Sequence, residues 1–563
     1  MRSPPAPFRR RLLAGAAAWA GAAGATGAGP PFTRSASATL WTSDADAIDR
    51  VVAGLPGGWT GASPQRGHRL REPAAWDAAA SEERVGVLVV GGGIAGLAAL
   101  RALDRAGLDD ARLLDLEDAA GGNARSIRLG GIDCPLAAHY IPLPDERNDA
   151  LLDFLAEQGL WRWHAGRRTW SERHLCHSPQ ERLFIGGRWV EGLLPAADAS
   201  PGLRDALRRM SAAVAAAARD AEYRIPTRQA RWSAALDALD AQAFDAWLDA
   251  RDLRHPLLRA YLDYCCRDDY GAASAAVSAW AGIHYFAARR GFAGGDDGGE
   301  ADPVLTWPEG NAWLARRMAA PRAARIRTAT IARAVRETPG GVDVLAWDFA
   351  ADRPCRFRAR RVVLAVPLFV AARLLEQPPV ALRSAVAAMR WAPWLVTNLL
   401  LDEPLSDAPG AAPAWDNVIQ SSPALGYVDA THQSLDPRPG ATVLTHYWAL
   451  GGRDDAELQA ARAALLKDDW RDPARRVLLD IAVAQPDVLR KVRRVELARY
   501  GHAMSVPRPG VRGSKALAAL AAAPAHGSRI HFAHSDLSGY SVFEEAFFHG
   551  ERAAAEVARA ERG

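Results

Sequence analysis

The most regular pattern of apolar and polar positions in the chain begins at residue 85. Residues 85–90 form a short apolar run that is typical of a buried strand, and apolar residues then recur at helical spacing over 94–106. A second apolar run follows at 111–116. A strand, a helix and a strand within about 35 residues predict a βαβ unit with two parallel strands.

The segment from 150 to 300 has a different composition, because Ala, Leu and Trp are frequent there and β-branched residues are few. Such a composition favours helices, and the apolar spacing predicts three of them, at 149–160, 201–221 and 243–264. Residues 289–303 are rich in Gly and Asp and have no apolar period, so they are expected to form a surface loop.

A β-type pattern returns after this loop. Residues 325–346 alternate around a Pro-Gly-Gly turn at 339–341, which predicts a hairpin, and residues 362–366 predict an apolar strand that stops at Pro367. Residues 390–500 predict a mixture of strands with one helix. The chain ends in a predicted strand at 529–533 and a predicted Ala-rich helix at 544–560.

The first 38 residues have the pattern of an export signal. Arg9, Arg10 and Arg11 lead into two leucines and a run of mostly Ala and Gly that extends to residue 29, as in a twin-arginine signal. We therefore expect the export machinery as a partner and a periplasmic or exported location. An uncleaved anchor or an Ala-rich start without function are the alternatives. No later apolar stretch reaches the length of a membrane span, so the mature protein is expected to be soluble.

Composition and charge narrow the function classes. The chain has 563 residues, 49% of them apolar, which allows a large core and favours two domains. Its net charge of +4 comes from 69 basic and 65 acidic residues without a basic stripe, which argues against a nucleic-acid partner. The five cysteines contain no CxxC pair, and the histidines lack metal-ligand spacing, so neither a disulfide framework nor a metal site is expected.

The sequence GGGIAG at 91–96 lies where the first strand turns into the helix. In this motif the first glycine permits the turn, the second lets the backbone approach a diphosphate, and the third allows helix and strand to pack closely. Glu117, 21 positions beyond the motif, ends the next strand and is suited to accept hydrogen bonds from ribose hydroxyls. The predicted dinucleotide contacts in this unit are Gly91, Gly93, Ile94, Ala95, Gly96 and Glu117.

A second glycine turn indicates which dinucleotide is bound. Gly121 and Gly122 follow the acidic residue by four positions and allow a second close approach of the backbone. Arg125 can direct several N–H donors toward the diphosphate or the flavin pyrimidine. Asn123 lies between Gly122 and Arg125 in the sequence and is also a predicted cofactor contact. We interpret this element as favouring FAD over NAD.

Glu117 with GGNAR at 121–125 resembles the acid and GG-x-x-R element of the flavin-containing amine oxidase superfamily, which includes protoporphyrinogen oxidases and carotene desaturases. The run from 360 to 368 is similar to the strand of that family that ends in Ala-x-Pro. FAHSD at 532–536 and the following helix are similar to its final FAD segment. The resemblance implies further cofactor contacts at Ile331, which would pack on adenine, at Asp536, which would reach the ribityl chain, and at Glu545 and Ala546.

The resemblance implies an α/β fold class, with a discontinuous Rossmann-like FAD-binding domain and an α+β substrate domain that carries a helical insert. We expect the FAD-binding domain at 83–150, 303–375 and 500–563, and the substrate domain at 151–302 and 376–499. Residues 39–82 are expected to form a lead-in that packs on the main body.

Amine oxidases of this family often hold the substrate nitrogen between two aromatic rings that face the flavin. Here Tyr540 or Phe543 is the candidate for one wall, and Tyr500 or His502 is the candidate for the other. The sequence departs from the family pattern at Glu545, which replaces a glycine, and no lysine matches the one that some members place near the flavin. Residues 263–271, with Trp280, His284 and Tyr285, either line the substrate pocket or form a buried ion-pair network.

The sequence leaves three functions open. The first is an FAD-dependent oxidoreductase that removes a hydride from an amine or another small organic donor and passes electrons to oxygen, a quinone or a protein. The second is a desaturase or isomerase that acts on an apolar, isoprenoid-like substrate in a long tunnel. The third is a flavin-carrying partner protein with little turnover.

Overall fold

The fold was analysed in a computed structural model. It describes residues 45–73, 76, 81–176, 179–194, 200–289, 291–292, 303–434, 438, 440–467, 469–522 and 528–562. The predicted export signal at 1–38 and most of the predicted loop at 289–303 lie outside these residues.

Helices account for much of the described chain. The α-helices are α1 (Ala45–Gly54), α2 (Pro64–His68), α3 (Ile94–Arg105), α4 (Asp149–Glu157), α5 (Pro201–Asp220), α6 (Ala234–Asp240), α7 (Phe244–Asp249), α8 (Pro256–Tyr270), α9 (Ala279–Ala287), α10 (Ala312–Ala319), α11 (Leu368–Leu374), α12 (Val380–Ala388), α13 (Asp455–Leu465), α14 (Arg471–Ala482), α15 (Val488–Lys491), α16 (Lys515–Ala521) and α17 (Phe543–Arg562). In the part of the chain that the structure describes, no helix is long and apolar enough to span a membrane.

The strands belong to two large sheets and three small pairs. They are β1 (Gly57–Thr60), β2 (Glu82–Val90), β3 (Ala111–Leu114), β4 (Ser126–Leu129), β5 (Ile132–Pro135), β6 (Tyr140–Pro142), β7 (Trp161–His164), β8 (Arg167–Trp170), β9 (Glu181–Ile185), β10 (Arg188–Glu191), β11 (Val304–Thr306), β12 (Ile326–Arg327), β13 (Thr330–Thr338), β14 (Gly341–Asp348), β15 (Arg353–Leu364), β16 (Trp391–Leu401), β17 (Asp416–Ile419), β18 (Gly426–Asp429), β19 (Thr442–Ala449), β20 (Val492–Ser505) and β21 (Ile530–Phe532).

The seven-stranded sheet contains the predicted βαβ unit. Its strand order is β12-β3-β2-β15-β14-β13, and β21 also pairs with β15. Strands β2 and β3 are parallel and are joined by α3, which confirms the prediction. The C-terminal helix α17 packs on α3 so closely that a Cβ atom at Gly550 would lie 2.2 Å from the carbonyl oxygen of Ala95. The first and last parts of this fold therefore meet at one helix pair.

The eight-stranded sheet has the order β1-β20-β16-β19-β18-β17-β9-β10. Most neighbours are antiparallel, but β1 is parallel to β20 and β17 is parallel to β9. Strand β1 comes from the predicted lead-in, so this segment packs on the main body as a strand of the sheet. The predicted domain limit at residue 500 falls inside β20.

The region from 150 to 300 differs from the prediction in two ways. The helix predicted at 243–264 is two helices, α7 and α8, because Pro256 lacks the N–H group that a continuous helix requires and instead starts α8. The region also contains the hairpins β7–β8 and β9–β10, which were not predicted. Gly186 and Gly187, both at positive φ, form the turn between β9 and β10.

Several other predicted elements are confirmed with shifted ends. Strands β13 and β14 form the predicted hairpin around residues 339–341, and α17 covers the predicted C-terminal helix. The predicted strand at 362–366 is the end of β15, which starts at Arg353. Residues 390–500 contain three helices, α13, α14 and α15, where the apolar pattern predicted one.

Candidate active site

A large cavity lies between the two sheets and has a volume of about 460 Å³. One side is formed by the turns that follow β2, β3 and β15, which is the edge where parallel α/β sheets bind ligands. The opposite side is formed by β16, β17, β19, β20 and the insert helix α8. The cavity is therefore enclosed by both halves of the fold.

The turn after β2 has the backbone shape that the glycine motif predicts. Gly91 has a φ of 106°, and a Cβ atom on Gly96 would lie 1.8 Å from the carbonyl oxygen of Gly91. Both positions therefore require glycine. Gly91, Ile94 and Ala95 line the cavity, whereas Gly96 packs helix α3 against the turn.

Gly93 borders open space. A Cβ atom at this position would meet only the Cα atom of Gly122, at 3.9 Å. Gly93 is also the N-cap of α3 and provides no side-chain hydrogen bond to the first turn, so the N–H groups of that turn are not capped by a side chain. A helix N-terminus that opens on a cavity is suited to bind a phosphate group.

The second glycine turn lies directly against the first. The Gly121 N–H group donates to the carbonyl oxygen of Gly92 at 2.7 Å, and Gly121 and Gly122 line the cavity. Asn123 also lines the cavity, and its side-chain amide donates to the Ala503 carbonyl in β20. This amide therefore also connects the glycine turn to the eight-stranded sheet.

Asp115 is a site residue that the sequence analysis missed. It accepts hydrogen bonds from the Gly92 N–H group at 2.9 Å and the Glu117 N–H group at 2.7 Å. Burial raises the pKa of Asp115 to about 6, against the lowering effects of the Glu117 N–H bond and of Arg125. This carboxylate fixes the glycine turn and the predicted ribose-binding residue relative to each other. Its position two residues before Glu117, at the end of β3, was the available signal.

Glu117 lines the cavity and is held on both oxygens. Its Oε1 accepts the Ser63 N–H group at 2.9 Å, and its Oε2 lies 3.8 Å from the Arg125 guanidinium. Arg125 also donates to the Gly122 carbonyl oxygen, but it is not among the residues that line the cavity. Ile331 is buried in β13, opposite Trp347, and does not line the cavity either.

Asp536 is completely buried and faces the cavity from the turn after β21. Its Oδ2 accepts the Leu368 N–H group at 2.9 Å and the Trp391 indole N–H group at 3.0 Å. Its Oδ1 lies 3.3 Å from the Nδ1 atom of His534 but has no hydrogen-bond partner among the described residues. Burial raises the pKa of Asp536, but the interactions with His534, Leu368 and Trp391 outweigh this effect and lower it.

The start of α17 contributes different side chains from those predicted. Phe543, Glu544 and Ala546 line the cavity, but Glu545 does not. Glu545 is completely buried and accepts hydrogen bonds from the Thr227 N–H group and from the hydroxyls of Ser538 and Tyr540. Through the Thr227 N–H group, its carboxylate connects α17 to the helical insert.

The other predicted aromatic residues also separate into two groups. Tyr500 and His502 line the cavity, together with Phe543 from α17. Tyr540 does not line it, because its ring is packed against Tyr270, Trp280 and His284. Trp280 and His284, which were candidates for the pocket wall, belong to this core cluster.

The far end of the cavity carries carboxylates. The lining residues at this end are Tyr264, Asp268 and Asp269 from α8, Asp416 from β17, and Glu544. Among the described lining residues, the one arginine is Arg289. Arg289 is paired with Asp269 at 2.8 Å. Arg267, on the same helix, pairs with Asp263, but neither residue lines the cavity.

Two of these carboxyl groups titrate near neutral pH. Burial and the charge of Asp269 raise the pKa of Asp268 to about 7, although the Tyr140 hydroxyl donates to it at 3.2 Å. Burial likewise raises the pKa of Glu544 to about 7. Burial and the charges of Glu181 and Asp268 raise the pKa of Asp416 well above its usual range. The three acids therefore lie in a region that has an excess of negative groups.

Comparison with known proteins decides the family. A family model described as flavin-containing amine oxidoreductase matches residues 94–558. The chain belongs to this family. It is therefore an FAD-dependent oxidoreductase. No curated protein matches the sequence significantly.

Solved structures share the fold of this oxidoreductase. A triple mutant of putrescine oxidase is 19% identical, with a TM-score of 0.63, and the match covers 86% of this chain and 100% of that one. Cyclohexylamine oxidase from Brevibacterium oxydans IH-35A is 18% identical, with a TM-score of 0.60 and coverages of 85% and 100%. A fatty acid isomerase from P. acnes that produces CLA is 15% identical, with a TM-score of 0.55 and coverages of 83% and 97%.

The residues of the cavity fit the FAD of the family. The N–H groups at the start of α3 and the open space at Gly93 suit a diphosphate, and Glu117 suits a ribose. The Asp536 Oδ1 atom can accept a hydrogen bond from a ribityl hydroxyl, which would satisfy this buried oxygen. Bound FAD supplies the hydride-accepting group of the enzyme.

The remaining aromatic lining of the oxidoreductase comes from residues that are far apart in sequence. His139 is stacked on Tyr447, with ring centroids 4.2 Å apart, and both line the cavity. Burial lowers the pKa of His139 to about 3, so the imidazole is neutral. No local sequence signal connects residue 139 to residue 447, and Tyr447 was therefore not predicted. Within the described ranges, no group of three or more His, Cys, Asp or Glu side chains is arranged so that it could hold a metal ion.

Proposed function

We propose that this enzyme oxidises an amine that enters the cavity as a cation. The observation that carries the proposal is the acidic far end, where Asp268, Asp416 and Glu544 line the cavity and form no ion pair with another described residue. An ammonium group would compensate the charge of these buried carboxylates, which is otherwise costly. The residues that would hold FAD lie on the opposite side of the cavity, and the bound cofactor would supply the hydride acceptor for the carbon next to the amine nitrogen.

The arrangement of donors explains why a cation is favoured over a carboxylate. Arg289 is the arginine among the described lining residues, and its guanidinium group already pairs with Asp269. Burial lowers the pKa of Arg289, but the charge of Asp269 outweighs this effect and raises it, so the guanidinium stays charged and paired. A substrate carboxylate would therefore meet Asp268 and Asp416, and no described residue of the lining offers it a free cation.

The same walls argue against the apolar substrate that a desaturase or isomerase would need. A long apolar chain at this end would offer no polar partner to the carboxyl groups of Asp268 and Asp416, whose pKa values are raised by burial. The rings of His139, Tyr447 and Tyr500 can instead pack on the short carbon skeleton of an amine. We propose oxygen, a quinone or a protein as the acceptor that reoxidises the flavin.

Substitution of the acids tests the proposal. Asp268→Asn keeps the acceptor for the Tyr140 hydroxyl and removes only the charge. We expect this variant and Asp416→Asn to raise KM for a primary amine by roughly tenfold or more, as loss of one charged contact does, while kcat falls less. Steady-state kinetics with purified, FAD-loaded protein would measure both constants.

Asp263→Asn is the matched control. Asp263 lies on the same helix and carries the same charge, but it pairs with Arg267 and does not line the cavity. Its KM should stay within about twofold of the parent value. Equal increases in Asp263→Asn and Asp268→Asn would show that α8 had been disturbed as a whole. An unchanged KM in Asp268→Asn and Asp416→Asn would remove the acidic end from substrate binding.

A further inference from the structure

A segment of the predicted lead-in crosses from one sheet to the other beside the cavity. We call residues 57–72 the strap. Its first part is β1, which pairs in parallel with residues 495–498 of β20 in the eight-stranded sheet. Its last part is held by Arg373 of α11, which donates to the carbonyl oxygens of Leu70 and Arg71 at 3.0 and 3.3 Å. Both ends of the strap are therefore fixed, one on each half of the fold.

Between these ends the strap contacts the turn that follows β3. The Ser63 N–H group donates to Glu117 Oε1 at 2.9 Å. Arg66 donates to the Leu116 carbonyl oxygen at 3.4 Å and forms an ion pair with Asp118 at 2.8 Å. Three consecutive residues, 116–118, thus have a partner in the strap.

Further contacts extend the strap along the seven-stranded sheet. The Arg66 and Arg69 guanidinium groups lie over the rings of Phe349 and Trp347, at 5.1 and 4.2 Å from the ring centres. Leu70 packs against a hydrophobic core cluster of the same sheet. The contacts are spread over about ten residues, so the strap packs along the half of the fold that contains the seven-stranded sheet.

The contact with Glu117 has a direct chemical meaning. A carboxylate with two oxygens has about four acceptor sites, so it can keep the Ser63 N–H group and still accept hydrogen bonds from a ribose. The Ser63 bond on Oε1 and Arg125 near Oε2 hold the carboxylate in one orientation. A preoriented acceptor binds its ligand more tightly, because less side-chain freedom is lost on binding.

We propose that the strap is a cofactor-retaining element. It orients Glu117 through the Ser63 N–H group and closes the adenosine end of the site by connecting the two halves of the fold. Escape of FAD would then require the strap to loosen. The inference rests on FAD binding and not on the identity of the substrate, so it stands or fails independently of the proposed amine.

Cleavage of the strap in the folded, FAD-loaded enzyme is the first test. A site for a sequence-specific protease would be inserted after Gln65, which is exposed, and the control would carry it at the exposed turn Gly186–Gly187 between β9 and β10. FAD release would be followed by the rise in flavin fluorescence after dilution, without substrate. We expect cleavage after Gln65 to accelerate release on the order of tenfold, and cleavage at the control turn to leave it unchanged. Equal release rates after the two cuts would overturn the proposal.

A pair of substitutions at Ser63 tests the specific contact. Ser63→Pro removes the N–H group that Glu117 accepts, whereas Ser63→Ala removes only the hydroxyl that caps α2. Release of FAD should be on the order of tenfold faster in Ser63→Pro, the usual effect of losing a hydrogen bond to a charged group, and within twofold of the parent in Ser63→Ala. Identical release rates in the two variants would contradict the role of the N–H group.

Discussion

At the scale of single residues, a substitution at Gly93 should affect cofactor binding but not folding. A Cβ atom there would meet only the Cα atom of Gly122, at 3.9 Å, so a side chain fits the protein without FAD. Gly93→Val would instead fill the space in front of the α3 N-terminus. We expect this variant to fold with an unchanged Tm in the absence of FAD and to retain less than about a tenth of the FAD, because a diphosphate needs close approach of the backbone.

The FAD-to-protein ratio and a circular dichroism melt would measure the two effects. Gly340→Val is the control, because a Cβ atom at Gly340 meets nothing within 4 Å and the residue lies in the β13–β14 turn. It should retain FAD fully. Full retention in Gly93→Val would exclude this turn from the diphosphate site.

The pKa of Asp268 predicts how substrate affinity depends on pH. Burial, followed by the charge of Asp269, raises this pKa to about 7, so the carboxyl group is neutral below pH 7 and gains its charge as pH rises through that value. A primary amine stays cationic throughout this range. KM should therefore fall from pH 6 to pH 8, by about tenfold if only the ionised form of Asp268 binds.

The pH profile of KM in Asp268→Asn provides the comparison. The variant has no charge to gain at this position, so its profile should be flatter, with the remaining slope due to Glu544, whose pKa is also raised to about 7 by burial. An increase of KM between pH 6 and pH 8 in the parent enzyme would contradict binding of the amine by ionised Asp268.

The residues that sequence could identify are those with a local signal. Gly91, Gly93 and Glu117 follow one strand-turn-helix unit, and their positions in the cavity agree with that pattern. Asp416 and Tyr447 reach the cavity only because β17 and β19 join the sheet opposite the glycine turns. Such placement depends on long-range strand order, which no local pattern contains.

At the scale of elements, prediction worked where the apolar period was long and uninterrupted. Helices α3, α5 and α17 and strands β2 and β14 have ends within a few residues of those predicted. The prediction at 243–264 was wrong because composition favoured a helix throughout, while Pro256 forces a new start. Hairpin β9–β10 was missed because its short strands lie in a mainly helical segment.

The C-terminal helix shows how one element serves two purposes. Its first turn directs Phe543 and Glu544 toward the cavity, and the next residue, Glu545, faces the insert. Successive side chains on a helix point in directions about 100° apart, so neighbours in sequence reach different surroundings. The family resemblance aligned Glu545 with a cofactor contact, but the structure places Glu544 at the cavity.

At the scale of the whole molecule, the cavity exists because the chain returns several times to the same edge. Parts of the segments 91–124, 365–367 and 534–546 form the cofactor side, and α8 with β17, β19 and β20 forms the acidic and aromatic side. The strap connects the two sides outside the cavity. The proposed preference for an amine over an apolar substrate rests on the acidic end.

The measurement that tests this account most directly is an anaerobic titration of the FAD-loaded enzyme, followed at the flavin band near about 450 nm. Short primary amines and diamines would be compared with alcohols of the same shape, which carry no charge, and with a fatty acid. The account predicts that an amine bleaches the band and that the alcohols and the fatty acid leave it oxidised. Bleaching by the uncharged or apolar donors, with no response to any amine, would contradict it.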